Sequence, residues 1–89
     1  MTQEQYNGIK KRFPTFAKTV EYWALAKATA KKDSVNEYFA DGFIEGTANA
    51  MIEHVGLGKE AFDFANFAKA EAERRVHEAE GNRDSEGSV

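Results

Sequence analysis

The sequence predicts an all-α protein: a small bundle of three main helices with a short N-terminal helix packed across them. Three observations predict it. Proline occurs once, at Pro14, and glycine is sparse before the C-terminal tail. The Val/Ile/Thr alternation that marks strands is almost absent. Ala, Glu, Lys and Phe dominate instead, with apolar residues recurring at three- and four-residue intervals. At 89 residues the chain makes one domain with one compact core. Residues 1–80 form that domain, and 81–89 read as a disordered tail with no apolar residue before Val89.

The first helix is expected from about Thr2 to Phe13. Thr2 and Gln5 have the spacing of a capping box. Tyr6, Ile9 and Phe13 form its apolar stripe, and Pro14 ends it. The second helix is expected after Thr15, as N-cap, and runs to about Lys31. Phe16, Val20, Trp23, Ala26 and Ala30 share its inner face, while Tyr22 and Leu25 point elsewhere. The third helix has the clearest start. Ser34 and Glu37 match a second capping box, and Gly56 followed by Leu57 fits a left-handed C-cap with its hydrophobic contact. Between them Phe39, Ala40, Phe43, Ile44, Ala50 and Met51 cover a broad apolar arc, which predicts a central position for this helix. The fourth runs from about Lys59 to Ala79. Ala61, Ala65, Ala68, Ala72, Val76 and Ala79 line one seam, flanked by Phe62 and Phe64, with Phe67 off it. Glu71–Arg75 and Glu73–His77 have the spacing of i,i+4 pairs.

Charge is divided along the chain. From Met1 to Lys32 there are seven basic residues against two acidic, a net +5. From Asp33 to Val89 there are five against thirteen, a net −8, which together give the overall −3. This division predicts two surfaces of opposite sign, each able to attract a different partner. No apolar run approaches the ~18 residues of a membrane span. The N-terminal residues lack the apolar core of a signal peptide. Cysteine is absent, which removes disulfides and thiolate metal ligands and fits a reducing, cytoplasmic setting.

Gly42 and Gly46 lie one turn apart in the third helix. Each costs about 1 kcal/mol against alanine in a helix interior, so the pair needs a reason. Close packing of the alanine seam of the fourth helix is the expected one. A homodimer contact or a ligand in the same groove are the alternatives. Flanking Asp41, Glu45 and Glu53 exclude a transmembrane use of the G-x-x-x-G spacing. Glu45, Asn49 and Glu53 form a polar stripe that reads as solvated or partner-facing rather than as acid–base machinery. His54 and His77 match no metal-binding spacing, so no metal and no cofactor are expected. No phosphate-binding loop and no nucleophile elbow occurs, and the chain is not expected to be an enzyme.

Lys10, Lys11 and Arg12 end the first helix, and Lys27, Lys31 and Lys32 end the second. Basic residues there also cap helix C-termini. The expected function is therefore non-enzymatic protein binding. The class includes small modulators from phage or mobile elements that inhibit a host enzyme such as a defence nuclease. The expected partner-binding residues are Lys10, Lys11, Lys31, Asp41, Glu45, Glu53, Tyr22 and Leu25. A nucleic-acid-associated regulator using the basic N-terminal half is the runner-up. A bundle holding a small ligand or metal is the third reading.

Overall fold

A computed structural model describes residues 1–87, with side chains for residues 1–80. The expected tail, 81–89, lies outside the fully described residues. Four helices follow one another: α1 (Gln3–Arg12), α2 (Pro14–Thr29), α3 (Val35–Val55) and α4 (Glu60–Gly87). No strand is present among the described residues. Among them, also, no helix is long and apolar enough to cross a membrane.

The α1 capping box forms in full. The Thr2 hydroxyl accepts from the Gln5 amide at 3.1 Å, and the Thr2 amide donates to Gln5 Oε1 at 2.8 Å. The start of α2 differs from expectation. Pro14 is its first helical residue and Phe13 its N-cap, so Thr15 is not the cap. Proline suits that position because the amide it lacks would have no intrahelical partner. At α3 only half of the expected capping box forms. The Ser34 hydroxyl accepts from the Glu37 amide at 3.3 Å. The Ser34 amide is already donated to the Lys31 carbonyl at 3.1 Å, closing the α2–α3 turn and leaving Glu37 nothing to accept from. Asp33 holds that turn with φ of 63°, a left-handed conformation that aspartate tolerates. Gly56 ends α3 at φ 77°, and the next amide, that of buried Leu57, donates to the Met51 carbonyl at 3.3 Å.

The central helix is α2, not α3. It packs extensively on both α3 and α4 and also carries α1, which does not reach α3. Ala17, Val20 and Ala24 line its buried side, and small residues there let three neighbours approach one helix. The alanine seam of α4 is buried from Ala61 to Ala72, with Phe64 fully enclosed beside it. The ring of Tyr6 stacks on Phe64 at 4.5 Å and lies 4.6 Å from Phe67, so Phe67 belongs to the core margin rather than to an outer surface. On α4, Arg74 bridges Glu71 at 2.9 Å and Glu78 at 2.7 Å, in place of the expected Glu71–Arg75 pair. Arg74 stands between two carboxylates on one face and satisfies both.

Candidate protein-binding face

The inner side of α3 is narrower than its apolar arc. Ala40, Ile44, Ala48 and Met51 are buried against α2 and α4. Phe39 and Phe43, expected in the core, remain 61% and 50% exposed, with Val35 and Tyr38 exposed beside them. The cause is position: a helix at the edge of a bundle has neighbours on one side only, and α3 carries more apolar surface than that side can cover.

Phe43 joins α2 in an aromatic row. Trp23 stacks on Phe43 at 4.3 Å with ring planes 15° apart, and Tyr22 meets Trp23 edge-on at 5.1 Å. Trp23 is thus half-buried under Phe43 instead of enclosed in the core. The Phe43 ring divides two open troughs. One, of about 610 Å³, runs between Trp23, Thr29, Asn36 and Phe39. The other, of about 290 Å³, lies over Gly42 and Gly46 and is walled by Phe16 and Thr19 of α2.

The two glycines do not pack against α4. A Cβ built at Gly42 or Gly46 meets nothing within 4 Å. The α4 seam packs elsewhere in the bundle, because α3 turns Ala40, Ile44 and Ala48 inward and the glycines outward. Close packing within one chain therefore does not explain them.

The other residues expected to bind partners fall on separate surfaces. Lys10 Nζ pairs with Glu21 Oε2 at 3.1 Å, and the Tyr6 hydroxyl donates to the same oxygen at 2.9 Å. Burial raises the Tyr6 pKa above its ordinary value, and the hydrogen bond to Glu21 and its charge raise it further. Tyr6 is thereby held as a donor, and the trio ties α1 to α2. Tyr22 and Leu25 are exposed and border the cleft beside it, together with Glu71 and Arg75. Lys11 is exposed at the end of α1, and Lys31 is exposed beyond the far end of α2. The 16 residues of α2 separate those ends by about 24 Å, so the two basic clusters do not merge. Asp41 pairs with Lys69 of α4 at 3.7 Å. Glu45 and Glu53 are exposed on the outer side of α3, beside the glycines. His54 and His77 are exposed on different helices.

Sequence reasoning missed Phe39, Phe43 and Trp23 as surface residues. A signal for Phe39 was present. It lies with Val35, Gly42, Gly46, Asn49 and Glu53, at alternating spacings of four and three, on a side of α3 distinct from the buried Ala40–Ile44–Ala48–Met51 stripe.

No match to the chain is found among protein-family models, curated proteins or solved structures.

Proposed function

We propose that this chain is a non-enzymatic protein-binding module that engages its partner through the aromatic face of α2 and α3. The observation that carries the reading is the pair Phe39 and Phe43, exposed side by side against the open troughs over Trp23 and the two glycines. An aromatic side chain buries about 150–250 Å² when covered, so Val35, Tyr38, Phe39 and Phe43 together offer about 400 Å² of apolar surface. Patches of that size on a small protein commonly mark an interaction site. The smaller trough, of about 290 Å³, is of a size to take an inserted side chain. Blocking a host enzyme would use the same face, with aromatic anchors at its centre. Nucleic-acid binding has less support, since Lys10 is paired and Lys11 and Lys31 sit at opposite ends of α2.

The test is affinity capture from the source cell with the tagged full chain. Phe39→Glu combined with Phe43→Glu should abolish capture of the partner, with circular dichroism unchanged. Lys10→Glu, Lys11→Glu and Lys31→Glu together should leave it in place. Loss in the lysine variant with retention in the phenylalanine variant would refute the reading.

A further inference from the structure

We infer that the occupant of this face is a second copy of the chain, with α3 packed against α3, antiparallel, about a two-fold axis beside residues 42 and 43. This rests on the reading of the face as a protein-binding surface and names its partner. A two-fold contact needs both halves of every complementary pair on one patch. The α3 face carries them. Phe39 and Phe43 project from it, and Gly42 and Gly46 leave open hollows in it. In the register that sets Phe39 over the second copy's Gly46, twice by symmetry, the two copies of Gly42 meet beside the axis. Large side chains then enter spaces where no Cβ intrudes, and the two helix axes approach closely.

Charge follows the same symmetry. Lys31 and Lys32 are exposed just before α3 begins, and Glu53 is exposed near its end. The antiparallel arrangement brings the Lys31–Lys32 end of one copy towards the Glu53 end of the other, twice by symmetry. A parallel pairing would instead set Glu53 against Glu53 and Glu45 against Glu45. Val35, Phe39, Gly42 and Gly46 recur along one side of α3, and nothing in the described part of one chain covers that side.

The area fits a modest dimer. With the apolar core of about 400 Å² and its polar margin, each copy contributes less than the ~800 Å² of a standard interface, so association belongs to the weak, reversible class.

Sedimentation equilibrium of the full chain tests this, from about 10 μM to about 1 mM. The mass should rise from 9.9 kDa towards twice that value. Gly42→Leu with Gly46→Leu fills the hollows and should hold the chain at monomer mass without lowering its melting temperature. Glu53→Lys or Lys32→Glu alone should weaken association about two- to thirtyfold, each exposed pair counting twice. The two combined should restore it, and added salt should weaken the wild type. A chain that stays monomeric at 1 mM overturns the inference. So does a dimer indifferent to the leucines, or a charge swap that fails to rescue. If the wild type is monomeric while Phe39→Glu with Phe43→Glu still abolishes capture of another protein, the second copy is the wrong occupant and the binding face stands. If neither association nor capture responds to those changes, both readings fall.

Discussion

Replacing Gly46 with alanine should stabilise the folded monomer. The residue is helical, in the interior of α3, and a Cβ there meets nothing within 4 Å. No packing penalty opposes the change. What remains is the difference in backbone freedom, which favours alanine by about 1 kcal/mol in a helix interior. In a domain of this size that raises the melting temperature by about 4–8 °C. Gly42 has the same open surroundings, so the double alanine variant should gain about 2 kcal/mol, provided the two sites act independently. The assay is a far-ultraviolet circular dichroism melt at about 10 μM, where a weak dimer is dissociated, repeated at high concentration to expose any linkage to association. A lower melting temperature for either single variant in the dilute sample would refute the reasoning, because it would place a neighbour in the groove within one chain.

Two further outcomes rest on other contacts. Tyr6→Phe removes the hydroxyl that donates to Glu21 and should cost about 0.5–1.5 kcal/mol at neutral pH, read from urea denaturation. The pKa of Tyr6 is raised on folding, so the native chain keeps its proton where the unfolded chain loses it. Its contribution is complete below about 10, the ordinary value, and declines as pH rises beyond it. The wild-type and Tyr6→Phe stabilities should therefore converge above pH 10, and a constant gap would count against the hydrogen bond. Separately, Phe43→Ala uncovers the indole of Trp23 and should red-shift its native fluorescence, whereas an unmoved spectrum would mean the stack does not shield it.

Local signals were legible in the sequence wherever one residue and its near neighbours complete the interaction. Thr2 with Gln5, the Ser34 cap and the Gly56–Leu57 ending all form, because each is satisfied within a few residues. The α4 alanine seam was legible as far as Ala72, since a continuous small stripe packs in any compact bundle, whereas Ala79 is exposed. The cap at Thr15 failed because Pro14 suits the first helical position, so α2 starts one residue before the expected cap. At Ser34 the reciprocal bond failed because a tertiary turn took its amide.

By itself, the sequence determined the helical class, the order of four helices, most of their ends and the division of charge. Those follow from periodicity, caps and composition, which act over one or two turns. The tertiary structure decided which helix is central and which apolar residues remain outside. An apolar arc records how much surface a helix can bury but not how many neighbours will be there to bury it. Because α2 took the centre, α3 was left at the edge, with Phe39, Phe43 and the two glycines turned to an open groove.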